Sequence, residues 1–414
     1  MLPGSPIAGG VGPPPTFSRI GLKRSLATAS GLGDPAGAAL PCVNRLTGLS
    51  SGARQETERE GGTAVVQFAL DAADGTGFAR GLPPRVTCAA VDLGTNNCRL
   101  LVARPTPYGF QVIDAFSRIV RLGEGVDQSG RLAPQAMGRT LSALRICAAK
   151  MRQRGVDLSR AVATEACRRA ANFDQFRHRV DREVGLTLEV ISADEEARLS
   201  LYGCAPLLDP GIPYALVFDI GGGSTELTWL SIDDPDGPRL VDCISLPIGV
   251  VNLSERHGGG MLSGPAYEQI VAEVAGGLAE FEWRNGIRAR VDAGEVQALG
   301  SSGTVTTLAG VQRGLRRYDR SQVDGTVIDF DEAKRLCRWL LSLDRAERAA
   351  VPCIGRDRAD LVVVGCAVLE AILDQWPAGQ LRVADRGVRE GILFDLMAGW
   401  HAAARQVERQ PLDG

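Results

Sequence analysis

The sequence has 414 residues, 44% of them hydrophobic, and a formal net charge of −3. That is enough chain for two domains with separate cores, and too little positive charge for a general nucleic-acid binder. The longest apolar runs, such as Leu361 to Leu369, are too short to span a bilayer. Ten cysteines include no C-x-x-C pair, and the three histidines, His178, His257 and His401, stand in unrelated contexts. These counts argue against a disulfide framework, a zinc site and a histidine-based triad, and for reduced thiols in a cytoplasmic protein.

Residues 1–84 are rich in Gly, Pro, Ala and Ser, with no sustained period. We read them as a disordered tail, within which Val65 to Leu70 is apolar enough for a stray strand. The first 33 residues carry Arg19, Lys23 and Arg24 and no acid, a faint likeness to an organellar transit peptide. No apolar run follows, as a secretory signal would require, so a flexible tail or a start assigned too far upstream is the plainer reading.

A first domain, 85–209, opens with an apolar strand ending in Asp92, then Leu93-Gly94-Thr95-Asn96-Asn97 and a second apolar strand. A third strand is expected over Gln111 to Val120, and Pro134 starts an amphipathic helix. A short strand, Ala161 to Thr164, leads into a helix start carrying Arg168 and Arg169. Either guanidinium, facing a cleft, would grip an anion. Asn172 caps the next helix. Leu186 to Ile191 reads as a strand, and Ser192 as the N-cap of a helix whose first turn holds Asp194, Glu195 and Glu196. Capping explains Asp194, and three acids exceed what a cap needs. One carboxylate beside a cleft would serve as general base for a water attacking a phosphoryl group. Successive helical residues diverge by about 100°, so Glu195 and Glu196 face different ways.

The second domain, 210–386, follows a linker over Pro206 to Pro213. It opens with Leu216-Val217-Phe218-Asp219-Ile220 and then Gly221-Gly222-Gly223-Ser224-Thr225-Glu226. Three glycines permit a tight turn and close approach to a ligand. Hydroxyls and free N–H groups there would hold phosphate oxygens, and Asp219 with Glu226 would hold Mg2+, usually through water. Asp92 and Asp219 lie 127 residues apart in matching contexts, so the chain contains an internal repeat at domain-length spacing. A further strand, Val296 to Leu299, runs into Gly300-Ser301-Ser302-Gly303-Thr304, a glycine-rich turn at a helix N-terminus that would bind an anion. The helix from Leu361 to Trp376 is almost wholly apolar and must be buried on most faces. A last strand and turn lead into a C-terminal helix, 387–404, expected to pack back on the first domain, with a polar tail at 405–414.

Two phosphate-gripping turns facing a shared cleft resemble the arrangement of the actin, sugar-kinase and Hsp70 superfamily, an α/β fold of two ribonuclease H-like domains. The motif order more specifically resembles the Ppx/GppA family of exopolyphosphatases and guanosine pentaphosphate phosphohydrolases. The matching stretches are 92–97, 163–168, 191–198, 219–227, 300–304 and the Arg-Glu-Gly turn at 389–391, within roughly 86 to 400. The resemblance implies removal of a terminal phosphate from polyphosphate or of the 5′ phosphate from guanosine pentaphosphate, with Mg2+, in a homodimer. It implies Glu196 as the water-activating base and Arg168 as the arginine reaching the scissile phosphate, with Arg169 left at the surface. Asp92, Asp219 and Glu226 become the metal-linked acids. Gly94, Thr95, Asn96 and Asn97, Gly221 to Thr225, and Gly300 to Thr304 become the phosphate contacts. Asn97 stands where the family commonly has a hydroxyl, and its amide can still donate. The chain also stops without the extra helical domain of longer members, which makes processivity on long chains doubtful. Two other classes remain open on the same loops: an ATP-dependent kinase or Hsp70-like ATPase, and a non-catalytic alarmone binder.

Overall fold

The computed structural model describes residues 86–106, 109–234, 238–258 and 262–409, with side chains to 401. The expected tail at 1–84, with its stray strand, lies outside the described residues. Two mixed sheets are present. In the first, β1 (Cys88–Leu93), β2 (Asn97–Thr106) and β3 (Gly109–Ile119) form an antiparallel meander. The helices α1 (Val126–Ser129) and α2 (Pro134–Gln153) follow, and β4 (Leu158–Ala163) then pairs parallel with β1. After α3 (Glu165–Arg169) and α4 (Phe173–Val184), β5 (Glu189–Val190) closes the order β3-β2-β1-β4-β5. Only two residues of the expected strand over 186–191 pair, because β5 is an edge strand meeting β4 at its last two positions.

The helix α5 (Ala193–Cys204) then leads to β6 (Tyr214–Ile220), β7 (Thr225–Ser231) and β8 (Arg239–Leu246), again an antiparallel meander. Next come α6 (Val250–Arg256), α7 (Gly264–Asn285), α8 (Ile287–Asp292) and β9 (Val296–Ser301), which pairs parallel with β6. The remainder is α9 (Ser302–Gln312), α10 (Arg320–Val323), β10 (Val327–Asp329), α11 (Phe330–Ser342), α12 (Arg345–Ala350), α13 (Val362–Gln375), β11 (Gln380–Ala384) and α14 (Val388–Arg409). The second sheet runs β10-β11-β9-β6-β7-β8. Read from β8 to β11, it repeats the first sheet strand for strand, which is the tertiary form of the sequence repeat.

Alternation along the central strands buries both of their faces. Ala89 and Val91 of β1 face an outer core under α2 and α4, while Cys88 and Ala90 join an inner core with Val217, Leu299 and the helices α5 and α14. Leu216, Phe218 and Ile220 of β6 face a third core under α7, α9 and α13. A strand covered on both sides carries continuous apolar residues, as these do. Twelve of the fourteen residues of α13 are buried, so its near-uniform hydrophobicity reflects burial on almost every side.

The helices α5 and α14 pass each other at backbone contact between the two sheets. A Cβ added at Gly203 would lie 2.1 Å from the Gly387 carbonyl oxygen, and one at Gly391 would lie 1.9 Å from that of Leu199. The C-terminal helix thus packs on α5 and on the first sheet, and it continues to Arg409, past the expected end near Ala404. Ala402 to Arg409 is made largely of strong helix formers, which carries the helix onward. Two local expectations change. Asn172 precedes α4 without capping it, because its amide is bonded to both backbone groups of Leu132. The Arg-Glu-Gly segment at 389–391 lies in the first turns of α14, not in a turn before it.

Candidate active site

A cavity of about 340 Å³ opens between the two sheets. Register places its acids. Asp92 stands near the end of β1 opposite Arg99, and Asp219 near the end of β6 opposite Glu226. The loops that follow are braced differently. Gly94 N–H donates to the Asn97 carbonyl, while the Thr95 and Asn96 carbonyls accept from Gly123, Val120 and Arg121. The second loop rests on the first turn of α6: Val250 and Val251 N–H donate to the Gly221 and Gly222 carbonyls, and the Asn252 side-chain amide donates to the Gly223 carbonyl. The two loops touch. A Cβ on Gly222 would lie 3.0 Å from Thr95 Cβ, and one on Gly223 2.8 Å from Thr95 Oγ1. Among the described residues, the N–H groups of Thr95, Asn96, Gly222 and Gly223 donate to no protein acceptor, so four amide donors are available at this junction.

Glu196 enters from the first turn of α5 and lines the same cavity. Its Oε2 accepts from Arg168 Nη1 at 2.7 Å, and among the described residues Oε1 has no hydrogen bond. Arg168 also donates to Glu165 and to the Ile191 carbonyl. Burial pushes the Glu196 carboxyl well above the usual range, and the Glu226 charge pushes it further, against the pull of Arg168. Glu226 itself is raised to about 7, by burial first, with the Asp219 charge adding and the Ser224 and Ser245 hydroxyls opposing. Asp92 and Asp219 are also raised, chiefly by burial, with Arg99 pulling both the other way. The other candidate acid, Glu195, is tied to Arg160 and Arg198 away from the cavity, and Ser192 accepts its N–H as the helix cap.

The structure brings Asp92, Gly94 to Asn97, Glu196, Asp219, Gly221 to Ser224, Glu226 and Ser302 to Thr304 around one cavity. Four expected contacts are not there. Arg168 stands behind Glu196, its guanidinium occupied by two carboxylates and a carbonyl, so it positions that acid. Thr225 is fully buried with its hydroxyl on the Ile248 carbonyl. Gly300 and Ser301 belong to β9. A Cβ on Gly300 would strike the Phe218 ring at 2.7 Å, so glycine is a packing requirement there, and Ser301 donates to the Phe218 carbonyl. Arg169 pairs with Asp127, clear of the cavity.

Sequence reasoning missed the cations of the site. Arg99, Arg320, Arg358, Arg386 and Arg389 all line the cavity, with Tyr318 and Asp385. Arg358 is pushed down by burial and by the facing Arg99, and among the described residues neither of the two makes an ion pair. Two unpaired, partly buried guanidiniums that repel each other are arranged for an anion. Arg99 was within reach of the sequence, as the residue that a tight hairpin places opposite Asp92, and Arg389 lay in the Arg-Glu-Gly stretch singled out there without a role.

Comparison with known proteins follows this geometry. The sequence model of the Ppx/GppA phosphatase family matches residues 101–399. Exopolyphosphatase 2 of Mycobacterium tuberculosis is 31% identical over 322 residues, covering 74% of this chain and 98% of that one. Among solved structures, an exopolyphosphatase from Cytophaga hutchinsonii aligns with a TM-score of 0.68 at 25% identity, over 76% of this chain and 98% of the other. The Ppx/GppA family member from Aquifex aeolicus aligns with a TM-score of 0.63 at 28% identity, over the same two shares. The fold is the two-domain actin-like arrangement, and the chain belongs to the Ppx/GppA phosphatase family.

Proposed function

We propose that this protein is a Mg2+-dependent exopolyphosphatase that hydrolyses the terminal phosphoanhydride of inorganic polyphosphate. The observation that carries the reading is Glu196, one carboxylate oxygen held by Arg168 and the other free, in a cavity that also holds two loops of unused amide donors.

The donor set fits Mg2+. Asp92, Asp219 and Glu226 offer oxygen ligands only; burial holds all three carboxyls above their usual range, and the Asp219 charge adds to the rise at the other two. Among the described residues no group of three or more His, Cys, Asp or Glu side chains is placed to hold a metal by itself, so Mg2+ here would have to take water and substrate oxygens as further ligands. Mg2+, when bound, neutralises part of the charge on the phosphate oxygens.

The chain's own groups do the rest. The Thr95, Asn96, Gly222 and Gly223 amides hold the terminal phosphate, and Arg99 and Arg358 hold the anionic chain beyond it. Glu196 Oε1 takes a proton from water as the water oxygen bonds to the terminal phosphorus and the bridging P–O bond breaks. Orthophosphate and a chain shorter by one unit leave. Arg168 fixes the Glu196 rotamer and opposes the rise of its pKa that burial and the Glu226 charge cause. With nine free thiols among the described residues, a reducing cytoplasm is the compartment this reading assigns.

Guanosine pentaphosphate is the second reading. Tyr318 favours it, a half-exposed ring in the cavity wall whose hydroxyl is tied to Asp385 at 2.6 Å, leaving its face for a base. Turnover measured side by side on tripolyphosphate, long polyphosphate and guanosine pentaphosphate, with and without Mg2+, decides. Mg2+-dependent phosphate release with polyphosphate preferred supports the proposal. Preference for the nucleotide, lost in Tyr318→Ala, selects the second reading, and transfer from ATP without hydrolysis defeats both.

A further inference from the structure

Part of the cavity wall belongs to two segments that continue onto the surface. Tyr318 and Arg320 line the cavity from one, and Arg358 from the other. The segments touch, the Cys353 thiol donating to the Leu315 carbonyl at 2.9 Å. Beyond the cavity the same stretches carry Arg313, Arg316, Arg317 and Arg356, all exposed. Residues 313–320 and 353–358 together hold six arginines against two aspartates, in a chain whose net charge is −3. One of those acids, Asp319, is occupied in capping α10, where it accepts from Ser321 and Gln322.

Several exposed arginines elsewhere on this surface have acidic partners, among them Arg288 with Asp292, Arg290 with Glu295 and Arg256 with Glu273. Among the described residues, none of these four does. A local excess of unpaired guanidiniums, continuous with two that line the cavity, is an electrostatic footprint for a polyanion.

We infer that Arg313, Arg316, Arg317 and Arg356 form a track for the part of a long inorganic polyphosphate chain that lies outside the cavity. The inference rests on the exopolyphosphatase reading and adds selection for chain length. Polyphosphate presents repeating anionic oxygens and no bases, so its recognition needs only guanidinium–phosphate contacts and counterion release. Single-stranded RNA would call for aromatic stacking platforms as well, and outside the cavity these two stretches contain no aromatic residue.

The test neutralises the track in R316Q/R317Q/R356Q. Long-chain polyphosphate binding is measured on Glu196→Gln protein with and without the triple change, across a salt series. Turnover of tripolyphosphate and of long chains is measured with Glu196 intact. The track predicts roughly tenfold or greater loss of long-chain affinity at low salt. It also predicts a salt dependence shallower by about two to three, one for each lost phosphate contact. Tripolyphosphate turnover should stay within about twofold, which also reports an intact fold. Unchanged long-chain binding and slope would overturn the track, as would equal losses on short and long substrates. An RNA oligomer bound more tightly than polyphosphate through the same arginines would overturn the choice of ligand. Failure of the parent protein to hydrolyse tripolyphosphate would defeat the proposed function alone, since the binding comparison still decides the track.

Discussion

The loop after Asp92 and the loop after Asp219 begin at matched places, near the end of a strand with an antiparallel neighbour on one side and a parallel one on the other. Their surroundings differ. A Cβ at Gly94 would have only the Asn97 carbonyl within 4 Å, at 3.7 Å, whereas the second loop is pressed from both sides. Thr95 and Asn96 approach Gly222 from one direction, and a Cβ on Gly249 would lie 2.5 Å from the Gly222 backbone from the other. Three successive glycines therefore answer a packing need as much as a ligand. The charges divide as well. Asp92 faces Arg99 and Arg389, while Asp219 faces Glu226 across its hairpin, and the Glu226 carboxyl rises to about 7. One sequence pattern, duplicated, has become a half whose acid has cations beside it and a half with a crowded acidic pair.

The largest expected effect falls on the acid that serves both halves. Glu196→Gln should lower kcat by about 10²–10⁴-fold, the usual contribution of a general base, with KM little changed. Undiminished turnover would remove Glu196 from the reaction and leave two loops with no chemistry between them.

The crowding asymmetry is tested by alanine. Gly249→Ala must displace the Gly222–Gly223 backbone and Gly222→Ala must push Thr95 and Asn96 aside, and overpacking of about 1–3 kcal/mol corresponds to losses of roughly fivefold to 150-fold if it acts on the productive geometry. Gly94→Ala should stay within about threefold on the same steady-state assay. Equal sensitivity in the two loops would show that the glycines serve the ligand alone.

The electrostatic asymmetry predicts a pH dependence of stability in metal-free protein. Glu226 has a folded-state pKa above its unfolded one, so the folded state holds the proton longer and unfolding is favoured as the group ionises. Its stabilising contribution is complete below the ordinary glutamate range, near 4.5, and is lost as pH rises through about 7. The melting temperature should fall by a few degrees across that window relative to Glu226→Gln, and Mg2+ should restore it at neutral pH. Parallel curves for the two proteins would show that the pair is not strained.

The smallest effect belongs to the contacts that join the first half of the chain to the segment around Arg358. Arg121, left-handed at φ 47°, donates to Asp360 and to the Asp357 carbonyl on either side of Arg358. Half-exposed pairs of this kind contribute about 0–1 kcal/mol, so Arg121→Ala should raise KM by no more than about fivefold with kcat held. A drop in kcat instead would mean that this contact positions Glu196, which it does not touch.

Much of the site was legible because its groups sit beside local signals. An aspartate at the end of an apolar strand before glycine, repeated at domain spacing, marks two loops without any knowledge of their partners. The acids after Ser192 are marked by the cap that orders their helix, and 3.6-residue geometry separates Glu195 from Glu196. Which of the two enters the cavity was not legible in that way, because it depends on Arg160 and Arg198 drawing Glu195 aside.

The sequence by itself determined two duplicated α/β units, the acidic loops and a helix of acids, since strand alternation, glycine turns and capping act over a few residues. Tertiary structure decided where the positive charge goes. Arg99, Arg320, Arg358 and Arg389 meet only when two sheets and the crossing of α5 with α14 bring distant segments to one cavity. It also decided that Arg168 steadies Glu196 from behind and that Gly300 makes room for Phe218. The physical reason is range: hydrogen bonding and helix periodicity are local, whereas Coulomb interactions and close packing depend on what the fold sets nearby.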